Sequence, residues 1–115
     1  MPPQPPRPAL DLLVVGGLTV DRFADGSTAP GGSVLYAARA AAAVVRRVGA
    51  VVSAGSEPEA EAGLRELRAL KFLHVERVAR SISFAHAGDG ARRLVFGASG
   101  GRFSAPQAPA AAAVL

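Results

Sequence analysis

Short apolar runs alternate with longer amphipathic stretches along most of this chain of 115 residues. Residues 12–15 form a continuous apolar run that is too short for an independent helix and rich in Val, which is typical of a buried parallel strand. Gly16 and Gly17 are predicted to end that strand. Residues 48–54 have the same apolar character, and Gly55 follows them. The pattern therefore predicts two strands that are buried within a sheet.

Two helices are predicted after these strands. In residues 34–46, apolar side chains recur at helical spacing, and many of them are alanines that allow close packing against a sheet. Residues 57–70 carry Pro58 in the first turn, acidic residues early and basic residues late, an order that favours the helix dipole. Both segments are expected to bury one face against the strands.

Two further strands and a hairpin are predicted in the second half. Residues 72–78 and 81–87 are strand-like, and Gly88-Asp89-Gly90 predicts a turn that closes a hairpin with residues 92–97. The order strand, helix, strand, helix, strand predicts a right-handed parallel α/β unit with a hairpin appended.

The ends of the chain differ in composition from this unit. Residues 1–9 contain five prolines and are expected to be a disordered or polyproline leader, because no long apolar core follows them as in a signal peptide. Residues 10–104 form one predicted domain, and residues 105–115 are expected to be a linker or the start of another element. The longest Ala/Val run, at 40–45, is far shorter than the ~20 residues of a membrane span, so no membrane partner is expected.

Charge and cysteine content narrow the functional classes. The net charge is +4, but the arginines are spread along the chain and Lys71 is the only lysine. A basic stripe with interleaved aromatic residues is missing, so nucleic acid is not an expected partner. The absence of Cys excludes disulfides and thiolate metal sites, and we expect a cytoplasmic location.

A candidate ligand site lies between the first strand and the first helix. Asp21 follows the strand, and Gly31 and Gly32 lead into Ser33, whose hydroxyl is predicted to cap the helix. A carboxylate accepts hydrogen bonds from vicinal hydroxyls, and glycine lets the backbone approach a sugar ring or an anion closely. Because open α/β folds bind ligands at this end of the sheet, a polyhydroxylated ligand is the predicted occupant.

The run from Val15 to Asp21, the di-glycine before the helix and the strand at 48–55 together resemble the N-terminal part of a PfkB (ribokinase-type) carbohydrate kinase. The resemblance covers residues 11–103, and the run from Gly31 to Ala38 is most similar to the inositol-kinase-like branch. It implies an α/β, ribokinase-like (Rossmann-like) three-layer fold with a parallel sheet, of which this chain is the N-terminal part with an appended β-hairpin.

The resemblance also implies roles for particular residues. In the family, the residues that correspond to Asp21, Gly31 and Gly32 bind the hydroxyls of the sugar or nucleoside. Tyr36 stands where members with a ribokinase-like site usually carry Asn, and it is included as a fourth substrate-binding residue. The family uses ATP and Mg²⁺, but its catalytic base, anion hole and ATP pocket belong to a C-terminal half that this sequence does not contain.

Two functions follow as expectations. The first is the acceptor-binding part of an ATP-dependent kinase that phosphorylates a hydroxyl of a sugar, polyol or nucleoside. The alternative is a non-catalytic ligand-binding or interaction remnant of such a kinase. A parallel sheet without its later strands is expected to self-associate, for example as a homodimer.

Other polar residues have plainer interpretations. His74 and His86 lack the spacing of metal ligands and are interpreted as surface or core residues. Arg92 and Arg93 are interpreted as a solvated strand end, with a role facing the substrate as the less favoured reading.

Overall fold

A computed structural model describes residues 8–86, 94–98 and 109–115. The predicted leader lies outside the described residues except for positions 8 and 9, and so do the predicted turn at 88–90 and Arg92 and Arg93. The described residues form these elements, in chain order: β1 (Leu12–Gly17), β2 (Thr19–Arg22), β3 (Thr28–Gly31), α1 (Ser33–Ala42), β4 (Val48–Ala54), α2 (Pro58–Leu67), β5 (Phe72–Arg77), β6 (Ile82–His86) and β7 (Leu94–Ala98).

A parallel sheet of order β1-β4-β5 forms the centre of the fold. Every residue of β4 is buried, including Ser53, as its otherwise apolar sequence predicts. Helices α1 and α2 pack on the same face of this sheet and share one core with it. That core contains Val14, Leu18, Val34, Leu35, Ala38, Ala50, Val52, Ala54, Ala60, Leu64 and Leu67. The predicted alternation of strands and helices is therefore confirmed.

The opposite face of the sheet has a smaller core. Leu10, Leu13 and Val51 are buried there, and Phe72 and Ala111 pack against them. Residues 110–115 run parallel to β1, and the backbone N–H groups of Leu13 and Val15 donate to carbonyls of this segment at 2.9 Å. The C-terminal segment thus extends the sheet beyond β1.

A second sheet, of order β3-β2-β6-β7, stands next to the first. Strands β6 and β7 are antiparallel, which confirms the appended hairpin. The hairpin of β2 and β3 was not predicted from the sequence, because both strands are only four residues long, and β3 contains Pro30 and Gly31. Strand β2 lies in the middle, antiparallel to β3 and parallel to β6.

Several predicted boundaries were wrong. Strand β1 was expected to end before Gly16, but both Gly16 and Gly17 belong to it. Helix α1 stops at Ala42, four residues before the predicted end, because the chain turns there and Arg47 is held by Asp11. The backbone N–H of Arg47 donates to Oδ2 of Asp11 at 3.0 Å, and its guanidinium donates to Oδ1 at 2.8 Å.

Helix α2 likewise ends at Leu67 instead of at residue 70, because the chain turns over residues 68–71 to enter β5 at Phe72. The N–H of Lys71 already donates to the carbonyl of Val48 at 2.9 Å. The helical periodicity of the sequence continues beyond both ends, but tertiary contacts determine where each helix stops.

The start of β6 is tied to the turn between β4 and α2. The buried Ser81 accepts a hydrogen bond from the N–H of Gly55 through its Oγ at 2.8 Å, and its own N–H donates to Oε2 of Glu57 at 2.9 Å. Burial raises the pKa of the Glu57 carboxyl. The interactions with the Ser81 hydroxyl and N–H act in the opposite direction, and the net shift of this pKa is downward. This link fixes the second sheet relative to the first.

Candidate functional site

Asp21 lies on β2, the strand whose backbone is paired on both sides. Its Cα is in register with Ala29 of β3 and with Phe84 of β6. The Thr19 hydroxyl donates to Oδ1 of Asp21 at 2.8 Å and so orients the carboxylate. Only 14% of the Asp21 side chain is exposed. The structure therefore holds the carboxylate that the sequence analysis singled out in a fixed position.

Gly31 and Gly32 bring the backbone against this carboxylate. A Cβ at Gly31 would overlap the Asp21 carboxylate, so only glycine leaves room for both groups. Gly32 has φ +105°, a conformation that residues with a side chain rarely adopt, and a Cβ there would overlap the carbonyl oxygen of Gly17. The di-glycine thus brings the backbone close to Asp21 and Gly17, and its approach to a ligand stays a prediction.

Gly32 also occupies the N-cap position of α1, which the sequence analysis assigned to Ser33. Helix α1 begins at Ser33, the cap position is occupied by Gly32, and no side chain caps the helix. The prediction that the Ser33 hydroxyl caps the helix was wrong, because Ser33 is already in its first turn. Ser33 instead contributes to the wall of a cavity beside Asp21.

The cavity lies between the second sheet and the start of α1 and has a volume of about 400 Å³. Tyr36 stands at its edge with 55% of the residue exposed, and the Arg39 guanidinium lies 5.3 Å from the centre of the Tyr36 ring. The lining residues are Gly17, Thr19, Asp21, Gly32, Ser33, Tyr36, Ile82, Phe84 and His86. Asp21, Gly32 and Tyr36 therefore line one cavity, and Gly31 lies directly behind the carboxylate.

His86 was missed as a site residue by the sequence analysis. Its Nε2 is 3.6 Å from Oδ2 of Asp21, and its ring stacks on Phe23 with a centroid distance of 4.8 Å and an interplanar angle of 23°. Alternate residues of β6 face the cavity, so the order Ile82, Phe84, His86 is the one local signal. The parallel pairing of β2 with β6, about sixty residues apart in sequence, cannot be recognised from that alternation.

The described residues offer no arrangement for a metal ion. Within residues 8–86 and 109–115, no group of three or more His, Asp or Glu side chains is positioned to bind one. Nor is either described helix long and apolar enough to cross a membrane.

Comparison with protein-family models gives no match, and comparison with curated protein sequences gives no significant one. Solved structures do match. A pyrophosphate-dependent kinase in the ribokinase family, complexed with a pyrophosphate analogue and myo-inositol, superposes with a TM-score of 0.65 at 16% identity over 81% of this chain and 34% of its own.

Two further matches are similar. A PfkB protein from Polaromonas sp. JS666 gives a TM-score of 0.62 at 16% identity over 76% of this chain and 35% of its own. An uncharacterized sugar kinase from Pyrococcus horikoshii in complex with ATP gives 0.58 at 14% identity over 74% of this chain and 33% of its own.

These similarities identify the fold. The chain has the α/β, ribokinase-like architecture of PfkB-type sugar kinases, as the sequence resemblance implied. It spans about a third of the length of the solved structures that it matches. At this level of identity the likeness concerns the fold, so the activity has to be argued from the site itself.

Proposed function

We propose that this chain is the acceptor-binding part of a PfkB-type kinase that transfers a phosphoryl group to a hydroxyl of a sugar, polyol or nucleoside. The observation that supports it most directly is the oriented carboxylate of Asp21 beside the di-glycine turn, at the wall of a cavity of about 400 Å³. The ribokinase-like fold around this site agrees with the proposal.

The chemistry of the cavity suits a polyhydroxylated molecule. The Thr19 hydroxyl donates to Oδ1 of Asp21, which leaves Oδ2 to accept from a ligand hydroxyl. A hydrogen bond to an ionised carboxylate is roughly twice as strong as a neutral one, so this contact would anchor the acceptor. In this proposal Gly31 and Gly32 admit the ring close to the backbone, and Tyr36 contacts it at the cavity edge.

A cyclic polyol is the first acceptor to test. The matched kinase with myo-inositol bound superposes with a TM-score of 0.65. Tyr36 also adds an aromatic surface at the cavity edge, and the apolar faces of a cyclohexane ring can pack on an aromatic side chain. We therefore rank myo-inositol before D-ribose and adenosine, which remain members of the proposed acceptor class.

The phosphoryl donor is proposed to be ATP with Mg²⁺, held by residues outside this chain. One matched kinase is described as pyrophosphate-dependent and another is in complex with ATP, so both donors belong in the test. In this proposal the described residues bind the acceptor and orient its reacting hydroxyl. A cytoplasmic location is part of this proposal.

The test is a titration of the purified chain with myo-inositol, D-ribose and adenosine, followed by NMR, with cyclohexanol as the matched control that has the ring but one hydroxyl. We expect saturable binding of at least one of the three polyhydroxylated compounds, with shifts at β2 and at the start of α1, and none with cyclohexanol. Failure of all three to bind would overturn the proposal.

The same protein is then incubated with each acceptor and either ATP and Mg²⁺ or pyrophosphate and Mg²⁺. We expect no phosphorylated product, because binding the acceptor is the part of the reaction assigned to this chain. Acceptor-dependent consumption of either donor by the 115-residue protein would contradict the assignment of donor binding and catalysis to residues outside it.

A further inference from the structure

His86 presents a buried polar atom that the fold itself does not use. Its Nε2 is shielded from solvent and makes no hydrogen bond within the described part of the chain, although 16% of the side chain is exposed to the cavity. Leaving a buried polar group unpaired is costly, so such a group at a cavity wall indicates a ligand contact.

The nearest partner is the Asp21 carboxylate, but the two groups are too far apart to bond directly. The distance from Nε2 to Oδ2 is 3.6 Å, beyond the 2.7–3.2 Å range of N–H···O hydrogen bonds. Both atoms belong to residues that line the same cavity. A group that both donates and accepts can therefore satisfy the two atoms together.

The position of the imidazole is fixed by the fold. The ring stacks on Phe23, and β6 is held in parallel register with β2, where Arg22 pairs with Ala85. The link from Ser81 to Gly55 and Glu57 fixes the start of the same strand. His86 is thus held opposite Asp21 before any ligand arrives, which lowers the entropic cost of binding.

We propose that one acceptor hydroxyl bridges Asp21 and His86, donating its proton to Oδ2 and accepting a hydrogen bond from Nε2–H. This inference rests on the proposed acceptor-binding function and adds a specificity residue to it. The bridge requires the imidazole tautomer with its proton on Nε2 when the ring is neutral.

The bridge makes the site selective for a hydroxyl. A deoxy analogue supplies neither a donor nor an acceptor and leaves both buried groups unpaired. An ammonium group donates to Asp21 but has no lone pair for Nε2–H. The site is therefore expected to discriminate against acceptors in which the bridging hydroxyl is removed or replaced by an amine.

The test compares variants of His86 by NMR titration with myo-inositol and D-ribose. His86→Phe keeps a flat ring to stack on Phe23 but removes the ring nitrogens. We expect about tenfold weaker binding of whichever of the two ligands the wild type binds more tightly. His86→Gln retains an N–H donor and is expected to recover most of the affinity. His74→Phe is the matched control, because His74 lies on β5 outside the cavity, and its affinity should equal that of the wild type.

A direct readout accompanies the affinities. In long-range ¹H–¹⁵N spectra, saturation with the bound ligand should move the Nε2 resonance of His86 to the position typical of a neutral imidazole with its proton on Nε2. The resonances of His74 should stay unchanged. The bridge would be overturned if His86→Phe binds with wild-type affinity and the Nε2 resonance of wild-type His86 does not move on saturation. In that case, weaker binding by Asp21→Ala than by the wild type would still support the proposed function. If the wild-type chain binds none of myo-inositol, D-ribose and adenosine, both proposals fail.

Discussion

In the part of the chain that the structure describes, two glycines have a positive φ, and only one of them belongs to the candidate site. Gly32 has φ +105° and a Cβ there would overlap the Gly17 carbonyl, whereas Gly26 has φ +86° with open space around the position of a Cβ. Both positions impose the same kind of backbone strain on a substitution, but steric overlap occurs at Gly32 alone.

We predict that Gly32→Ala costs more stability than Gly26→Ala and also weakens acceptor binding. The backbone strain alone is about 1–3 kcal/mol at either position. The overlap with Gly17 adds to it at Gly32 and displaces the start of α1, where Ser33 and Tyr36 line the cavity. Urea denaturation and acceptor titration of both variants measure this. Equal losses of stability, with binding retained in Gly32→Ala, would show that Gly32 is an ordinary turn residue.

At the scale of elements, the sequence predicted those whose formation depends on local pattern. The apolar run of β4 and the amphipathic spacing of α2 each indicate the observed element. The hairpin of β2 and β3 consists of strands too short to show such a pattern, and the pairing of β2 with β6 depends on contacts between distant segments. The sequence therefore predicted that Asp21 and the di-glycine lie together, but not that a strand brings His86 to them.

Strand β6 carries the missed residue, and its start is held by the buried Ser81. The Ser81 Oγ accepts the N–H of Gly55, and the backbone N–H of Ser81 donates to Glu57. This contact joins the second sheet to the turn that follows β4. The stability of the link is thus relevant to the geometry of the site.

We predict that Ser81→Ala lowers the free energy of unfolding by about 1–3 kcal/mol, because the buried N–H of Gly55 loses its acceptor. Ser27→Ala is the matched control, since its hydroxyl contacts Asp25 on an exposed turn, and its effect should stay within about 0.5 kcal/mol. Urea denaturation of both variants gives the comparison. A Ser81 variant as stable as the Ser27 variant would mean that the link contributes nothing measurable.

At the scale of the whole molecule, four carboxylates of the described residues couple stability to pH, and one of them is Asp25, whose pKa is lowered by hydrogen bonds from the Ser27 hydroxyl and N–H. The hydrogen bond from the Arg47 side chain lowers the pKa of Asp11, and the one from Arg39 lowers the pKa of Glu66. The pKa of Glu57 is lowered as well, through Ser81 and against the effect of burial. Each group is ionised in the folded protein at pH values where the unfolded chain already binds a proton.

The sign of the pH dependence follows from these shifts. Because the folded pKa values lie below the ordinary values of 3.8 for Asp and 4.5 for Glu, the stabilisation is complete above about pH 5 and is lost as the pH falls through the folded pKa values. We predict a melting temperature that decreases steadily from pH 5 to pH 3, and a smaller decrease in Asp11→Asn. A melting temperature that is constant or rises over this range would contradict the assignment.

The exposed apolar residues of the chain predict self-association. Val15 is 40% exposed beside the C-terminal segment, where Val114 and Leu115 are 65% and 68% exposed. Apolar side chains grouped at the edge of a sheet favour contact with a second copy. We predict a concentration-dependent increase in mass in sedimentation experiments, and a decrease in that tendency in Val114→Ser. A monomer at all concentrations up to the millimolar range would refute this expectation.

The role of Asp21 as the anchor of the acceptor is the central claim, and one measurement tests it most directly. It is the dissociation constant of the best-binding acceptor for Asp21→Ala, determined together with the melting temperature. Asp25→Ala is the control, because it removes a carboxylate from an exposed turn outside the cavity.

Loss of a charge-assisted hydrogen bond worth roughly 1.5–3 kcal/mol predicts that Asp21→Ala binds about 10- to 150-fold more weakly, while its melting temperature falls by no more than the lost hydrogen bond from the Thr19 hydroxyl explains. Asp21→Asn keeps one acceptor oxygen without the charge and should bind with intermediate affinity, and Asp25→Ala should bind as the wild type does. Unchanged affinity in Asp21→Ala with a clearly lower melting temperature would show that the carboxylate is structural and would contradict the account.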